Sequence, residues 1–212
     1  MSTSRFAAVL LVALPAIAQI PLPELRIEPT DGGSVFYIRN NSAQPLAAYL
    51  IELVDYPGSS YSFWQDETVA EPIPPKGEKR IQVANMTVGA VPDYVKMQAA
   101  LYADGKSVGV PEKVAQLLDR RRAMLETVRE LCGRIEKAQA AGTPKPDVLA
   151  GLMQWADTLQ PPPGRTGRNS PAAVNQAAAR GVILGAVVRL NAASLAEALS
   201  LLRGWERALA AK

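Results

Sequence analysis

The feature that most constrains the fold of this chain is a change in the period of its apolar residues at Pro111. From residue 19 to residue 110, apolar and polar residues alternate over short segments, as in Leu25-Arg26-Ile27 and Ile81-Gln82-Val83. In the same way, Val95, Met97, Ala99 and Leu101 are expected to share one face of a strand. A period of two predicts strands, and we expect each strand to keep one face towards water. After Pro111 the apolar residues recur every three or four positions, which predicts helices.

Turn sequences divide the alternating half into six or seven predicted strands. They are Asp31-Gly32-Gly33, Asn40-Asn41-Ser42, Pro74-Pro75-Lys76-Gly77 and Asp104-Gly105. The Asp104-Gly105 pair is the strongest hairpin signal, because a tight hairpin turn needs residues that tolerate a positive φ. Many short strands without an intervening helix are typical of a small antiparallel β-sandwich.

The second half carries start and stop signals for about four helices, the first of them long. A stripe of apolar residues from Val114 to Ile135 predicts the long helix, and Gly142 is suited to end it. The later signals are an exposed proline-glycine loop at 161–169, the N-cap serine of Ser170-Pro171, and the capping box Ser194-Leu195-Ala196-Glu197. The chain is therefore predicted to be α+β, with a β-sandwich at 19–110 and a helical region at 111–212.

The N-terminal segment 1–18 is predicted to be a secretory signal peptide. Arg5 precedes nine apolar residues, Phe6 to Leu14, and Ala16-Ile17-Ala18 has the small-x-small pattern that a signal peptidase accepts. The alternative is an N-terminal membrane anchor, which needs about 20 apolar residues. We therefore expect cleavage near Ala18, export to the periplasm or beyond, and no transmembrane segment in the mature protein.

The composition excludes several kinds of catalysis. The sequence has no histidine and one cysteine, Cys132, so Ser-His-Asp and Cys-His mechanisms, histidine-ligated zinc and a disulfide within the chain are excluded. The motifs G-x-S-x-G, S-x-x-K, C-x-x-C and the P-loop do not occur in it. We predict a protein that is not an enzyme and holds no cofactor or metal. Cys132 is expected to be buried and inert or, alternatively, to link a dimer.

A hydrolase that uses carboxylates alone leaves no linear motif, so it stays an alternative. Glycosidases place two carboxyl groups about 5–10 Å apart across the substrate. Asp66 and Glu67 cannot act as such a pair, because neighbours on an extended segment point in opposite directions. A partner carboxylate would have to come from Glu52 or Glu71, which the sequence does not place nearby.

The candidate ligand site is a cluster of aromatic residues, Tyr56, Tyr61, Phe63 and Trp64, next to Asp66. Aromatic rings beside carboxylates that accept hydrogen bonds from sugar hydroxyls are typical of carbohydrate-binding modules. The alternative is that the rings fold over an edge of the sandwich and close its core, because exposing several large rings is costly. Whether the rings are covered or bare in the structure separates these hypotheses.

The two halves carry opposite net charge. Residues 19–110 hold seven Lys or Arg and eleven Asp or Glu, whereas residues 111–212 hold fifteen and nine, so the net charges are −4 and +6. We expect the halves to dock on each other. The run Arg120-Arg121-Arg122 has acidic neighbours at helical pairing distance, Asp119 and Glu126, so we expect a solvated, salt-bridged face and no nucleic-acid partner.

Two runs resemble a known group of proteins. They are Gly33-Ser34-Val35-Phe36-Tyr37-Ile38-Arg39-Asn40-Asn41-Ser42 into Pro45-Leu46-Ala47-Ala48-Tyr49, and Ala100-Leu101-Tyr102-Ala103-Asp104-Gly105. They resemble exported bacterial proteins of unknown function, many from acidobacteria-like sources, with an immunoglobulin- or fibronectin-III-like domain. The resemblance covers about residues 24–110, implies that β-sandwich fold for them, and carries no catalytic residues.

The leading functional hypothesis is an exported, non-enzymatic protein that acts as an interaction or structural module of the cell envelope, with its partner left open between a protein and a glycan. One alternative is a carbohydrate-binding module that takes a glycan on Tyr61, Phe63 and Trp64. Another is a homodimer that forms through the final helices, which are rich in alanine and contain Gly181 and Gly185.

Overall fold

The computed structural model describes residues 20–55, 61–66, 71–84, 92–160 and 170–210. Over these ranges the chain is a mixed α/β protein with two antiparallel sheets of three and four strands, followed by four helices of which the first is long. The predicted signal peptide at 1–18, Tyr56, Glu67 and the predicted loop at 161–169 lie outside the described residues.

The strands of the first half belong to two separate sheets. The strands are β1 Glu24–Thr30, β2 Gly33–Arg39, β3 Leu46–Leu53, β4 Ser62–Gln65, β5 Glu78–Ala84, β6 Val95–Tyr102 and β7 Ser107–Gly109. One sheet has the order β1-β2-β5, and the other has the order β4-β3-β6-β7. A short 3-10 helix at 92–94 leads into β6. Neighbouring strands pair antiparallel throughout both sheets.

Glycines form the two tight hairpins that the sequence predicts. Gly32 connects β1 to β2 and Gly105 connects β6 to β7, each with a φ of 81°. Gly109, which pairs with Ala99, has a φ of 131°, and a Cβ there would lie 2.2 Å from the carbonyl oxygen of Gln98. A side chain at position 109 is therefore excluded both by its backbone conformation and by its neighbour.

The four-stranded sheet is buried on both faces, which corrects the expectation that every strand keeps one face in water. On its inner face, large side chains form one hydrophobic cluster with the three-stranded sheet. That cluster contains Phe36, Ile38, Leu46, Tyr49, Ile51, Ile73, Val83, Val95, Ala100 and Tyr102. On its outer face, smaller side chains contact the first helix instead of solvent: Ala48, Leu50, Ala99 and Leu101.

The alternation predicted for β6 is wrong in its second half. Val95, Met97, Ala99 and Leu101 were expected to share one face, but the first two pack in the cluster between the sheets and the last two pack against the first helix. The reason is an irregularity in the β3–β6 pairing. Leu50 pairs with Ala99, whereas Ile51 pairs with Met97, so one extra residue of β6 moves the following side chains to the opposite face.

Four helices follow, and three of the predicted signals, Gly142, Ser170-Pro171 and the capping box at Ser194, lie at their ends. The helices are α1 Pro111–Ala140, α2 Lys145–Thr158, α3 Pro171–Ala192 and α4 Leu195–Ala210. Gly142 follows α1 with a φ of 64°. The Ser170 hydroxyl accepts a hydrogen bond from the Ala173 amide at 3.2 Å, and the capping box at Ser194 and Glu197 forms in both directions.

The helices bury one apolar core of their own. Its α1 members are Met124, Val128, Leu131, Cys132 and Ile135, and α2, α3 and α4 supply the rest. The burial of Cys132 confirms the expected position of the thiol, and this burial raises the pKa of the thiol. Leu118, expected on the buried stripe of α1, is 40% exposed.

The beginning of α1 joins the two halves. Leu117, with Val114 beside it, packs on the outer face of the four-stranded sheet. The Lys113 ammonium lies 2.6 Å from the Glu52 carboxylate on β3. The first turns of the basic helix thus contact the more acidic sheet half through a small apolar cluster and the Lys113–Glu52 ion pair.

Candidate functional site

A cavity of about 680 Å³ lies where the sheet half and the helical half meet. We call it the cleft. Its lining comes from β4 (Ser62, Trp64), α1 (Arg120, Met124), α3 (Val174, Ala177, Ala178, Gly181, Val182, Gly185, Val188, Arg189) and α4 (Trp205). A smaller cavity of about 240 Å³ adjoins it and shares Ser62, Trp64 and Val174.

The cleft exists because the face of α3 that borders it carries small side chains. Alanine and glycine recur at three- and four-residue spacing from Ala177 to Gly185. Their side chains are too small to fill the space between β4 and α4. A Cβ placed on Gly181 would have no atom within 4 Å, and one placed on Gly185 would meet the Trp205 ring at 3.6 Å. Further along α3, Val188 is 66% exposed.

The aromatic cluster predicted as a ligand site is divided between the two faces of β4. Phe63 stacks on Tyr49 with ring centroids 6.4 Å apart and meets Phe36 edge-on at 6.3 Å. Tyr61 also meets Phe36 edge-on, at 6.5 Å. Trp64 lies on the other face, half-buried against the cluster that contains Leu117.

The described rings therefore do not form one continuous platform. Tyr61 and Phe63 are half-buried against the core between the sheets, and burial raises the pKa of Tyr61 to about 12. Tyr61 and Trp64 still come together at the smaller cavity, where Glu52 and Asp119 also lie. A glycan site in that smaller cavity stays a hypothesis.

Asp66 faces two guanidinium groups of α1. Its side chain is fully buried, and its carboxylate oxygens lie 3.8 Å from Nη1 of Arg121 and 4.0 Å from Nη1 of Arg120. A carboxylate in this position neutralises a buried cation. It is not presented to solvent as the acceptor of sugar hydroxyls that the sequence suggested.

The expectation that Arg120-Arg121-Arg122 forms a solvated face is wrong for Arg120 and Arg121, whose side chains are 11% and 8% exposed, and holds for Arg122. Arg121 is buried and donates hydrogen bonds to the carbonyls of Ala208 and Leu209, at the end of α4. Arg122 is exposed and pairs with Asp119 at 2.9 Å, as predicted. Helical spacing could have revealed this difference, because position 121 lies on the same stripe as 117, 124 and 128.

Arg120 connects this ion-pair group to the cleft. Its guanidinium lies 5.6 Å from the centroid of the Trp64 ring and donates to the sulfur of Met124 at 3.2 Å. Its side chain is 11% exposed, and it belongs to the lining of the cleft. Burial lowers the pKa of Arg120, and the Asp66 carboxylate opposes that shift.

The chemistry of the cleft is that of a binding site. Among the described residues that line it, the polar groups are the Ser62 hydroxyl, two indoles and the guanidinium groups of Arg120 and Arg189. Within the described part of the chain, no three His, Cys, Asp or Glu residues are grouped closely enough to hold a metal ion. Cationic and apolar groups side by side favour a ligand that is partly apolar and partly anionic.

The sequence matches no protein-family model, no curated protein and no solved structure at a significant level.

By length and composition, α3 passes the criteria for a helix that crosses a membrane, and in the described part of the chain it is the one helix that does. α3 also has seven residues buried in the fold and carries Arg180 and Arg189. The absence of a transmembrane segment from the mature protein stays a prediction.

Proposed function

We propose that this protein is an exported, non-enzymatic interaction module of the cell envelope, and that the cleft is its binding site. The observation that carries the proposal is the cleft itself, about 680 Å³ in volume, with Trp64 and Trp205 in its lining. Pockets of about 300–1,000 Å³ with aromatic walls and a few polar groups are typical of ligand sites. Tryptophan and arginine are also the residues that most often dominate binding energy.

The proposal includes an immunoglobulin- or fibronectin-III-like sandwich for residues 19–110. In a constant-type immunoglobulin domain, the first, second, fifth and fourth strands form one sheet, and the third, sixth and seventh form the other. The order β1-β2-β5 and β4-β3-β6-β7 differs from that pattern in the sheet to which the fourth strand belongs. A sandwich also requires the two sheets to pack face to face, and the hydrophobic cluster between their inner faces supports that packing.

The side chains around the cleft support binding more than catalysis. General acid–base chemistry needs a titratable group within reach of a substrate. The Asp66 carboxylate, which lies beside Arg120 of the cleft lining, is buried between Arg120 and Arg121. Glu52, at the smaller cavity, is paired with Lys113 at 2.6 Å.

Site-directed photo-crosslinking in an exporting bacterial host tests the binding role. A photoreactive phenylalanine analogue at Val188, in the cleft, should give an adduct in the envelope fraction. The same analogue at Gln139, which is exposed near the end of α1, should give none. Equal yields at both positions, or no adduct at Val188, would contradict the proposal.

Export and the absence of enzymatic activity need their own measurements. We expect the mature protein to begin at Gln19, as read from its intact mass after fractionation. A broad hydrolase panel run on the purified protein should show no turnover. Robust turnover would overturn the non-enzymatic assignment, and retention of residues 1–18 would overturn the signal peptide.

A carbohydrate-binding role is the second candidate, because the smaller cavity brings Tyr61 and Trp64 together with Glu52 and Asp119. If the protein binds polysaccharide there, Trp64→Ala should abolish retention on the polysaccharide while the far-UV circular dichroism stays unchanged. Trp155→Ala is the matched control, since Trp155 belongs to α2 and its ring lies under the guanidinium group of Arg134 on α1. Unchanged retention of the Trp64 variant would remove this candidate.

A further inference from the structure

We propose that the cleft and the smaller cavity together bind an amphiphile with an uncharged sugar head and an apolar chain. The head occupies the smaller cavity, and the chain lies in the cleft along α3. This inference rests on the proposed binding role of the cleft and adds the chemical class of its ligand. Three observations carry it: the order of the two cavities along α3, the polar groups of the smaller cavity, and the apolar lining of the cleft.

The two cavities follow one another along α3. The smaller cavity borders the start of the helix, at Pro171 and Val174, and the cleft borders the stretch from Val174 to Arg189. Ser62 and Trp64 on β4 belong to both linings, as Val174 does. A ligand that occupies both cavities is therefore elongated, with its two ends in surroundings of different polarity.

The charged groups of the smaller cavity are already paired. The Lys113 ammonium lies 2.6 Å from the Glu52 carboxylate, and these side chains are 28% and 14% exposed. The Asp119 carboxylate lies 2.9 Å from a guanidinium nitrogen of Arg122. An anionic head would meet the two carboxylates, and a cationic head would compete for them with their present partners. An uncharged head avoids both costs.

Two side-chain amides give the smaller cavity the hydrogen-bonding groups that a sugar needs. They belong to Gln116 on α1 and Asn175 on α3, and neither amide has a side-chain hydrogen bond to another described residue. Each amide offers two donors and one acceptor, which match neighbouring sugar hydroxyls. Tyr61 and Trp64 add ring surface for the C–H face of the sugar. The volume of about 240 Å³ is below the range of about 300–1,000 Å³ for drug-sized ligands, so it suits a single ring.

The lining of the cleft suits the apolar chain. Apart from two arginines and Ser62, the described lining residues are alanine, glycine, valine, methionine and tryptophan. From Val174 to Val188 this surface follows α3 for about 20 Å at 1.5 Å per residue. Val188 is 66% exposed, so a chain that covers this strip removes apolar surface from water.

The two cationic groups of the cleft favour an anionic ligand, but neither is placed to select the head. The Arg120 guanidinium already contacts the Asp66 carboxylate, the Trp64 ring and a methionine sulfur. Arg189 lies in the last turn of α3, whereas the smaller cavity borders the first turn. The selection of the head therefore falls to the amides and the paired charges of the smaller cavity.

Binding of three probes with the same chain to the mature full-length protein tests the inference. The probes are octyl glucoside, octanol and octanoate, each below its critical micelle concentration, and the readout is tryptophan emission. Trp155→Phe is present in every variant, so that the signal comes from Trp64 and Trp205. We expect octyl glucoside to bind at least tenfold more tightly than octanol, because hydrogen bonds to two amides add to the same apolar contact. Octanoate should bind more weakly than octyl glucoside.

Two matched pairs of amide substitutions test the position of the head. Gln116→Leu with Asn175→Leu should weaken octyl glucoside binding at least tenfold, to about the affinity of octanol, and should not weaken octanol binding. Gln176→Leu with Asn191→Leu removes two exposed amides of α3 that line neither cavity, and it should change neither affinity. If the first variant does not fold, as judged by far-UV circular dichroism, Gln116→Ala with Asn175→Ala replaces it.

Two glycine variants test the position of the chain. Gly181→Leu puts a side chain into open space in the cleft and should weaken octyl glucoside and octanol binding alike, at least tenfold. Gly151→Leu on α2 also adds a side chain in open space but lines neither cavity, so it should change neither affinity.

The outcomes separate this inference from the proposed binding role. Equal binding of octyl glucoside and octanol, tighter binding of octanoate, or unchanged binding in the Gln116→Leu and Asn175→Leu variant would overturn the uncharged sugar head. Unchanged binding in Gly181→Leu would overturn the placement of the chain. A Val188 adduct would leave the binding role intact in each of those cases, and its absence would overturn that role itself.

Discussion

The two ends of α1 make contacts of very different composition. From Met124 to Ile135 the helix contributes five fully buried apolar residues to the core of the helical half. Near its start it buries Leu117 on the sheet and then places Arg120 and Arg121 beside Asp66. One helix therefore has a dry, continuous interface at one end and a narrow interface with buried charges at the other.

This comparison explains where the cleft is found. Large apolar side chains that interdigitate leave no space between elements, and the helical core is built in that way. At the junction with the sheet, charged side chains on α1 and small side chains on α3 replace such residues, so the elements do not close on each other. The cleft thus occurs where the packing of this fold is interrupted.

The largest expected effect comes from shortening a leucine at each end of α1. Leu131→Ala should lower the free energy of unfolding by about 3–5 kcal/mol, because the cavity it leaves lies inside a tightly packed core. Leu117→Ala should cost about 2–3 kcal/mol, since its small cluster lies beside the cleft and can relax. Chemical denaturation measures both values, and equal losses would contradict the difference between the two interfaces.

The buried ion-pair group at the junction gives the next effect. Asp66→Asn should destabilise the protein by about 3 kcal/mol, because it leaves two buried guanidinium groups without their shared carboxylate. Asp119→Asn removes the carboxylate of the exposed Arg122 pair and should cost less than about 0.5 kcal/mol. Denaturation of both variants checks this, and a small loss at Asp66 would show that the junction does not depend on the buried charge.

Filling open space on α3 should have a smaller effect of opposite sign. Gly181→Ala should stabilise the protein by about 0.5–1 kcal/mol, since the new methyl group meets no atom and glycine is costly within a helix. Gly142→Ala is the control, because its φ of 64° penalises any side chain and the change should destabilise. Destabilisation by Gly181→Ala, read from the melting temperature, would mean that α3 packs closely at this position.

The smallest effect is expected from the exposed ion pairs between α1 and α4. Hydrogen bonds from Arg203 and Arg129 lower the pKa of Glu206 below its ordinary value of 4.5. A lowered pKa in the folded state contributes stability above pH 4.5, and this contribution is lost as the pH falls through the lowered value. Glu206→Gln should therefore melt slightly below the wild type near neutral pH, and at about pH 3 the difference should shrink.

Melting curves of the two proteins across this range provide the measurement. Glu130→Gln, which removes an exposed ion pair with Arg134 within α1, is compared in the same way. It shows whether an ion pair between two helices raises the melting temperature more than an ion pair within one helix. If the difference in melting temperature between Glu206→Gln and the wild type grew as the pH fell, the lowered pKa of Glu206 would be contradicted.

Local signals in the sequence predicted the local structure well. The hairpin glycines at 32 and 105, the N-cap at Ser170 and the capping box at Ser194 are confirmed. Each of these depends on hydrogen bonds or φ values within a few residues. The residue types involved are therefore sufficient evidence for them.

The errors fall where distant segments meet. Nothing in the sequence of β6 signals the extra residue that moves Ala99 to the outer face, because the irregularity is defined by pairing with β3. The run at 120–122 looked solvated because its acidic neighbours are close in sequence, whereas Arg121 contacts Asp66 and the end of α4, which are distant in sequence. Trp64 was one of the predicted ligand-site residues and lines the cleft, whereas Trp205, which also lines it, was not among those residues.

The sequence by itself determined the order of strands and helices, the positions of their turns and caps, and the absence of histidine chemistry. Those properties follow from backbone preferences and side-chain types that act over a few residues. The tertiary structure decided which face of each strand is covered, which arginine is buried and where a cleft remains. Those outcomes depend on which surfaces meet, and residues far apart in the chain become neighbours only when the whole chain has folded.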